Sequence, residues 1–409
     1  MNISRRLTEM EHSPIRNLIP YALAAEKKGV KVIYGNIGQP DLSTPQVYKD
    51  GIEKFLNDKK KSDVIAYGPS EGLPGFREAY ARYLKRHEIS IEKEDIFTTF
   101  AGSEALLFIL LAICDPGDEI IIPEPFYTNY RTFCTMAGVS IVPLTLSMKD
   151  GYSLPSMSVL EDLITEKTRA ILLCTPNNPT GTTYTEKELS MIHKLCVHRN
   201  LWMVSDEVYR EFVFDRQPFS ALQLKDARTH TIVIDSLSKR YSLCGARVGV
   251  IVCRDRNLLH HILKMAQARL CPATVGQIAA IELLDQCDGE IEKMRDIYRQ
   301  RVDTLCKVLQ NIPGVVIHKP QGAFYVMVKI PVDDSHVFAQ YMVSSVEVDH
   351  ETLLVAPASG FYMTDGLGKD EIRIAAVINE HSLRSAAKIL RKALETYPNK
   401  KRSVHNEKN

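Results

Sequence analysis

Hydrophobic residues in the middle of the chain recur as short uninterrupted runs, each followed by a turn and, in several cases, by a helical pattern. A run such as Ile171-Leu172-Leu173 is continuous rather than alternating, which is typical of a strand buried on both faces. Strands that alternate with helices predict a mostly parallel sheet covered by helices on both sides. The candidate strands are residues 96–100, 119–122, 140–146, 170–174, 201–205, 231–235 and 248–252, and helices are expected at 103–114 and Glu186–Arg199.

The pattern changes after residue 255, where helical periodicity dominates to about residue 311 and the later strands and helices no longer alternate strictly. This predicts an α/β fold with a large domain over residues 45–310 and a smaller α+β domain made of residues 1–44, which include an N-terminal arm, and 311–409. The polar tail at 400–409 is expected to be disordered. The further elements are helices at 14–28, 289–310, 336–344 and 380–394, and strands at 32–37, 315–318, 322–330, 352–356 and 371–377.

Composition narrows the classes of protein that this chain can represent. The formal net charge of the 409 residues is +1, so no basic field predicts nucleic-acid binding. The nine cysteines form no CxxC pair and no Cys/His cluster at zinc spacing, which favours reduced thiols in the cytoplasm and no metal site. The longest apolar stretch, 105–114, is half of the roughly 20 residues that a membrane-spanning helix needs, so no membrane partner is expected.

A lysine follows one of the predicted strands, in Asp235-Ser236-Leu237-Ser238-Lys239. Ligands of open parallel sheets bind beyond the carboxyl ends of the strands. A lysine there could form an imine with an aldehyde cofactor, and Arg247, eight residues further on, could clamp a phosphate together with the serine hydroxyls. A lone loop lysine is far more often simply solvated, so this segment is only suggestive by itself.

Two more strands are followed by polar residues with suitable chemistry. Asp206 could hold a pyridine nitrogen in its protonated form, and Tyr209 could donate a hydrogen bond to a phenolic oxygen of the same ring. Asn178 lies in the string Pro176-Asn177-Asn178-Pro179-Thr180-Gly181, where prolines and a glycine predict a rigid turn that fixes a donor. Taken alone, Asp206 could equally be a helix cap.

Three weaker signals complete the set. Gly102, Ser103 and Glu104 open an apolar helix, whose first N–H groups could bind phosphate, although Ser103 could equally be only an N-cap. Tyr127 could stack on a pyridine ring, although aromatic clusters more often fill a core. Arg373 could bind a carboxylate in bidentate fashion.

The order and spacing of these residues resemble those of the class I/II aminotransferases, which are pyridoxal 5'-phosphate (PLP) enzymes of fold type I. The resemblance covers roughly residues 14 to 396, and its most specific part is Ser236-x-Ser238-Lys239 with Arg247 eight residues later. The matching series is Tyr67-Gly68-Pro69, Gly102-Ser103, Tyr127, Asn178-Pro179-Thr180-Gly181, Asp206 with Tyr209, Ser236-x-Ser238-Lys239, Arg247 and Arg373.

The resemblance implies a role for each position. Lys239 corresponds to the lysine that forms the Schiff base and then moves the proton, and Asp206 to the partner of the pyridinium nitrogen. Asn178 and Tyr209 correspond to the donors to the phenolic oxygen, and Tyr127 to the stacking aromatic. The phosphate site would comprise Gly102, Ser103, Glu104, Ser236, Ser238 and Arg247.

The resemblance also implies substrate contacts and a partner. Arg373, with Asn178, corresponds to the site of the substrate α-carboxylate, and Gly38 to a loop that closes over the substrate. Tyr67 corresponds to a tyrosine that reaches the phosphate of the neighbouring subunit, which makes the protein a homodimer. An amino acid and a 2-oxo acid, commonly 2-oxoglutarate, would react in turn by a ping-pong mechanism.

Aspartate is the predicted amino donor, because segments 124–130 and 356–362 look like those of bacterial enzymes assigned as aspartate aminotransferases. Where some of those enzymes have a lysine, this chain has Ser103. Other PLP enzymes of the same fold remain open: aromatic or alanine aminotransferases, a C–S β-lyase, or an aminocyclopropane-carboxylate synthase.

Protein classes outside this fold family agree less well with the sequence. A nicotinamide-dependent dehydrogenase lacks its G-x-G-x-x-G fingerprint here, and the nearest P-loop string, Gly366-Leu367-Gly368-Lys369, is followed by Asp370 instead of Ser or Thr. A non-catalytic PLP-binding regulator would need a DNA-binding module, for which the chain has no spare length.

Overall fold

The computed structural model describes residues 2–8, 10–225 and 227–399. The predicted disordered tail at 400–409 lies outside the described residues. Within the described part of the chain, no helix is both long and apolar enough to cross a membrane.

Helices and strands alternate through the middle of the chain, as the hydrophobic pattern predicts. The helices are α1 (Arg5–Thr8), α2 (Ile19–Glu26), α3 (Gln46–Asn57), α4 (Lys59–Ser62), α5 (Pro74–Arg86), α6 (Ala101–Ile113), α7 (Asn129–Ala137), α8 (Met157–Glu161), α9 (Glu186–Arg199), α10 (Leu237–Arg240), α11 (Arg256–Arg269), α12 (Thr274–Gln286), α13 (Asp288–Leu309), α14 (Ser335–Ser345) and α15 (Glu380–Thr396). The strands are β1 (Lys31–Tyr34), β2 (Ile96–Thr99), β3 (Glu119–Glu124), β4 (Ser140–Thr145), β5 (Thr168–Cys174), β6 (Trp202–Asp206), β7 (Thr231–Ser236), β8 (Gly249–Val252), β9 (Val316–Ile317), β10 (Tyr325–Lys329), β11 (Glu351–Leu354), β12 (Ala356–Pro357) and β13 (Glu371–Ala375).

Seven of the described strands form one sheet in the order β2-β8-β7-β6-β5-β3-β4. All neighbouring pairs from β7 to β4 are parallel, and β8 is antiparallel to both of its neighbours. Ile171 and Leu172, whose side chains point to opposite faces of β5, are both completely buried or nearly so. Helices therefore cover both faces, which confirms the predicted α/β class with a mostly parallel sheet.

The parallel register brings three chain segments to one edge of this sheet. Cys174 at the end of β5 pairs with Asp206 at the end of β6, and Asp206 pairs in turn with Ile234 in β7. The segments that follow these strands carry Asn178, Tyr209 and Lys239. The carboxyl edge of the sheet is thus where the candidate residues meet.

Two smaller sheets use the ends of the chain. β12, β13, β10 and β9 form an antiparallel sheet, and β1 pairs with β11 in parallel. All strands of the large sheet lie between residues 96 and 252, and the strands of the small sheets lie before residue 35 or after residue 315. The domain boundaries at 45 and 310 stay a prediction.

Two predicted elements differ most from the structure, while others, such as the strands expected at 32–37 and 322–330, are only shorter than predicted. The helix expected at 14–28 begins only at Ile19, because residues 14–18 form turns and Pro20 takes a place in the first helical turn. The strand expected at 352–356 is divided between two sheets, since Leu354 pairs with Tyr34 while Ala356 pairs with Arg373.

Candidate active site

Lys239 lies in the short helix α10, directly after β7. Ser236 caps this helix by accepting a hydrogen bond from the backbone N–H of Ser238 at 3.2 Å, and the two serine hydroxyl oxygens are 2.8 Å apart. The Lys239 amine donates to the carbonyl oxygen of Gly38 at 2.9 Å and lies 3.9 Å from the sulfur of Cys244. Among the ion pairs of the described residues, none involves Lys239, so no carboxylate competes for its amine.

Asp206 ends β6 as a buried carboxylate. It accepts hydrogen bonds from the Tyr130 hydroxyl at 2.7 Å and from the backbone N–H of Val208 at 3.3 Å. Burial raises its pKa to about 6, and the two hydrogen bonds only partly oppose this rise. No described lysine, arginine or histidine forms an ion pair with Asp206, so the carboxylate lacks the cation that would stabilise it.

Arg373 reaches the same edge from β13 of the small antiparallel sheet. One terminal nitrogen of its guanidinium donates to the Asn178 side-chain oxygen at 2.8 Å, and the other donates to the backbone oxygen of Asn36. The third nitrogen, Nε, is buried without a partner among the described residues. The guanidinium carbon lies 4.4 Å from the ring centre of Tyr325 and 5.1 Å from that of Phe361, and burial lowers the pKa of Arg373.

Tyrosines line the space between these groups. The Tyr209 and Tyr325 hydroxyl oxygens are 2.8 Å apart, and the Lys239 amine lies 6.0 Å from the Tyr209 ring centre. The Tyr127 hydroxyl accepts from the Asn129 side chain at 2.9 Å. Burial raises the pKa of Tyr127 to about 12 and raises that of Tyr209 well above its usual value, so both phenols stay protonated and can donate hydrogen bonds.

Gly102 and Ser103 lie in the first turn of α6, as predicted, where backbone N–H groups have no partner within the helix. Glu104 is different, because its carboxylate accepts from the backbone N–H of Phe100 and forms an ion pair with Arg269, both at 2.9 Å. The side chain of Glu104 is therefore engaged with the protein, and its charge would repel a phosphate. Only its backbone N–H fits the predicted anion site.

Arg247 is exposed and has a positive φ of 57°, and its guanidinium donates to the Cys244 carbonyl oxygen at 2.9 Å. Gly38 lies against Tyr325, since a Cβ at this position would come within 1.8 Å of the tyrosine hydroxyl oxygen. Tyr67 is set apart from the other residues, on an exposed segment where its side chain is 79% accessible. The structure thus brings Lys239, Asn178 and Arg373 together and leaves Tyr67 facing outward.

Three further residues at the site were not assigned a role from the sequence. Tyr130 binds Asp206, Tyr325 binds Tyr209, and Asn36 binds Arg373 through its backbone oxygen. Tyr130 ends the aromatic segment 124–130, three residues after Tyr127, and that segment is the signal that could have indicated it.

A fully buried charge cluster lies beneath Lys239. Asp235 accepts from the guanidinium groups of Arg210, at 3.2 Å, and Arg240, and from the Tyr80 hydroxyl. Arg240 follows Lys239 directly, so the cluster anchors the helix that carries the lysine. Burial alone would raise the pKa of Glu211, but Arg210 and Arg240 outweigh it and hold that pKa at about 2.

The residues present fit PLP. A pyridinium nitrogen would supply the cation that the buried Asp206 carboxylate lacks, and the phenols and Asn178 supply donors for the ring oxygen. The first turn of α6, the hydroxyls of Ser236 and Ser238, and Arg247 supply donors for a phosphate.

The fold is α/β, and its parallel sheet has an amine, a buried carboxylate and a buried guanidinium at its carboxyl edge. The family model described as aminotransferase class I and II matches residues 31–390. The chain belongs to this family, whose members act on amino and oxo acids.

Similar proteins agree with this assignment. A probable aspartate/prephenate aminotransferase of Aquifex aeolicus (strain VF5) is 29% identical over 398 residues, covering 96% of this chain and 98% of that protein. The solved structure of aspartate aminotransferase from Thermus thermophilus with maleate has a TM-score of 0.87 at 27% identity and covers 96% of this chain and 100% of that one. An alanine aminotransferase from Pyrococcus furiosus has a TM-score of 0.87 at 31% identity and covers 96% and 99%.

Proposed function

We propose that this chain is a PLP-dependent aminotransferase that moves the amino group of L-aspartate to 2-oxoglutarate. The observation that carries the proposal is that two groups without a charged partner lie at the same edge of the sheet. Lys239 offers an amine without a carboxylate partner among the described residues, and Asp206 offers a buried carboxylate without a cation. A cofactor with an aldehyde and a pyridinium nitrogen satisfies both.

The proposed cofactor contacts follow from the positions of the donors. Asp206 would hold the pyridine nitrogen, Asn178 and Tyr209 the phenolic oxygen, and Tyr127 the face of the ring. The phosphate would bind the N–H groups of Gly102 and Ser103 and the side chains of Ser236, Ser238 and Arg247, with Tyr67 of a second copy. PLP, when bound, supplies an aldehyde that takes up the amino group and a ring that stores the electrons of the broken Cα–H bond.

Lys239 is proposed to move the proton. Its Nζ would take the proton from the substrate Cα and would pass it to the aldehyde carbon of the cofactor, on the other side of the amino nitrogen. The contact with the Gly38 carbonyl oxygen keeps Nζ in the cleft under the loop at 35–41. The same loop excludes water, which strengthens the electrostatic interactions of the site.

Arg373 is proposed to hold the α-carboxylate of both substrates. Its buried Nε has no described partner, and Asn178 and Asn36 fix the plane of the guanidinium. A planar guanidinium held in this way suits bidentate binding of a carboxylate. We expect Arg373→Ala to raise KM for the amino acid and for the oxo acid alike, because both carry this group. A change confined to one substrate would remove this role.

The choice of aspartate rests on the relatives. Two of the similar proteins are named as aspartate or aspartate/prephenate aminotransferases, and one of these was solved with maleate, a dicarboxylate. The similar alanine aminotransferase keeps that activity as an alternative, along with aromatic aminotransferase and C–S β-lyase activity. These reactions share Lys239, Asp206 and Arg373, so only the products distinguish them.

The setting of the activity is part of the proposal. The nine cysteines are all free thiols, which supports a reducing compartment such as the cytoplasm. We expect the functional unit to be a homodimer, as is typical of the family.

The test is the visible absorption spectrum of the purified protein after incubation with PLP. We expect a band that shifts to shorter wavelength when L-aspartate is added and returns with 2-oxoglutarate. Lys239→Ala should fold with an unchanged circular-dichroism spectrum and lose turnover, while Lys49→Ala, which removes an exposed lysine from α3, should behave as wild type. Wild-type rates in Lys239→Ala would refute the central assignment.

A further inference from the structure

Tyr325 is a buried tyrosine whose hydroxyl has one hydrogen-bond partner among the described residues. It begins β10, and only 2% of its surface is accessible. Its hydroxyl oxygen lies 2.8 Å from that of Tyr209, and no other described residue forms a hydrogen bond with either hydroxyl. A Cβ at Gly38 would overlap the Tyr325 oxygen, so the loop at 35–41 lies directly against it. The two phenols therefore form an isolated pair inside the site.

This pair has one proton more than its internal hydrogen bond uses. Each phenol carries a single O–H, and either oxygen can act as the donor. If Tyr325 donates to Tyr209, the proton of Tyr209 stays available for a ligand. Tyr209 is the phenol proposed to donate to the phenolic oxygen of the cofactor, and burial raises its pKa well above the usual value, so it keeps its proton. Binding of such an acceptor selects the arrangement in which Tyr325 is the donor.

The ring of Tyr325 makes a separate contact with Arg373. The guanidinium carbon of Arg373 lies 4.4 Å from the centre of this ring. The two residues come from neighbouring antiparallel strands, since β10 pairs with β13 and Met327 lies opposite Arg373. Phenylalanine at position 325 would keep the ring beside Arg373 and remove only the hydroxyl. The two contacts of Tyr325 can therefore be separated by one conservative substitution.

From this geometry we infer that Tyr325 is a positioning residue that acts on the cofactor through Tyr209. The inference rests on the proposed function and deepens it. By donating to the Tyr209 oxygen, Tyr325 directs the Tyr209 proton toward the phenolic oxygen. It also strengthens the hydrogen bond that Tyr209 donates, because successive hydrogen bonds in a buried chain polarise one another.

The expected consequence concerns a proton on the Lys239 nitrogen. Once this nitrogen is joined to the cofactor aldehyde, the negative charge of the phenolic oxygen favours its protonated form. A hydrogen bond from the protein stabilises that negative charge when the proton is absent. Tyr325, acting through Tyr209, should therefore lower the pH at which the Lys239 nitrogen loses its proton.

The experiment follows the visible absorption band of the PLP-loaded protein as a function of pH. In Tyr325→Phe we expect the midpoint of the spectral change to rise by about half a pH unit, because the hydrogen bond from Tyr209 is weakened and not lost. Tyr209→Phe should raise the midpoint by about one pH unit or more. Tyr341→Phe, which removes a hydroxyl bound to Thr396 outside the site, should leave it unchanged.

A double variant tests whether Tyr325 acts through Tyr209. If it does, Tyr209→Phe/Tyr325→Phe should have the midpoint of Tyr209→Phe alone, because the effect of the second phenol requires the first. The lower limb of the pH profile of kcat/KM should move with the spectral midpoint in each variant. Thermal unfolding of the cofactor-free variants shows whether each is folded, and a purely structural role would change this measurement and leave the spectral midpoint in place.

The outcomes separate this inference from the proposed function. A normal band in Tyr325→Phe with an unchanged midpoint, or shifts that add in the double variant, would overturn the inference while the proposed function stands. A wild-type band that does not change with pH would also overturn it, since Tyr325 would have no proton to act on. A wild-type protein that shows no band with PLP would refute the proposed function and, with it, this role of Tyr325.

Discussion

The buried position of Asp206 destabilises the ionised form of its carboxyl group. Burial raises the pKa of its carboxyl from 3.8 to about 6. Between these two values the folded chain binds a proton that the unfolded chain has released, so the free energy of unfolding decreases as pH rises through this window and stays lower above it. A buried carboxyl group without a cationic partner among the described residues, at the edge of the sheet where ligands bind, points to a role in ligand binding.

We predict opposite effects of Asp206→Asn on stability and activity. Asparagine removes the uncompensated charge and can still accept from the Tyr130 hydroxyl, so the cofactor-free variant should be more stable than wild type at pH 8 by about 1 to 2 kcal/mol. The difference should vanish near pH 4, where the wild-type carboxyl is protonated. Transamination should fall at least about a hundredfold, because the ring nitrogen loses its anion. Urea unfolding of both proteins at the two pH values checks this, with Asp50→Asn as an exposed control; a variant less stable than wild type at pH 8 would contradict it.

Sequence motifs identified functional residues only where these stand in a characteristic short stretch of sequence. Lys239 and Asn178 stand in such stretches, and Asp206 follows a clear strand. Tyr130 and Tyr325 do not, because they act through contacts with residues 76 and 116 positions away in the chain. An aromatic residue in an apolar element is indistinguishable from core packing until the fold brings its hydroxyl to a partner.

At the scale of elements, the strands of the large sheet were predicted best. They are short, apolar and buried on both faces, so their hydrophobic runs begin and end almost where β5, β6 and β7 do. Helices α3, α5 and α7 were not assigned. No strand lies between α3 and α5, and α7 is a short helix of mixed polarity between β3 and β4. The division of 352–356 into β11 and β12 depends on pairing with two different sheets, which the local sequence does not encode.

The loop at residues 35–41 yields a prediction at this scale. The Gly38 carbonyl oxygen accepts from Lys239, and its missing side chain leaves room for the Tyr325 hydroxyl. A methyl group there cannot fit, so Gly38→Ala should displace the loop from both partners. We expect kcat to fall at least about tenfold, because a displaced loop no longer orients the lysine or excludes water.

The stability of Gly38→Ala should fall by about 1 to 3 kcal/mol, because Gly38 is buried and the added methyl group overpacks the space against Tyr325. The matched control is Gly289→Ala, because a Cβ at Gly289 meets no atom within 4 Å. Thermal unfolding and steady-state kinetics of the two variants decide the matter: a large loss of stability in Gly38→Ala with normal kcat would assign the loop a structural role instead.

At the scale of the whole molecule, the site draws on parts of the chain that no local pattern connects. Arg373 comes from the small antiparallel sheet and reaches Asn178, which lies 195 positions earlier and follows β5 of the large sheet. Hydrophobic periodicity predicted both sheets but gave no information on how they meet. The resemblance to a known family indicated that these residues share one site. The fold gives the physical reason, since the segments that follow the parallel strands all lie at the carboxyl edge of the large sheet.

The exposed segment around Tyr67 leads to the prediction that depends on two copies of the chain. The side chains of Val64, Ile65 and Tyr67 are 74%, 58% and 79% accessible, and apolar groups exposed together are typical of an interface. In a twofold dimer each copy gives the same segment to the other, so each Tyr67 would serve the partner's phosphate site. We expect the purified protein to be a dimer by light scattering, and Tyr67→Ala to bind PLP at least about tenfold more weakly because a phosphate contact is lost.

Mixing two defective chains tests whether Tyr67 acts across the interface. Lys239→Ala lacks turnover but keeps Tyr67, and Tyr67→Ala keeps the lysine but binds PLP weakly. If Tyr67 acts on the partner's site, a hybrid dimer has one site with both substitutions and one site with neither. At limiting PLP, the mixture should therefore show more activity than the sum of the two variants once their subunits have exchanged. Activity that stays at the sum, with exchange demonstrated by a size or charge tag, would place Tyr67 at the site of its own chain.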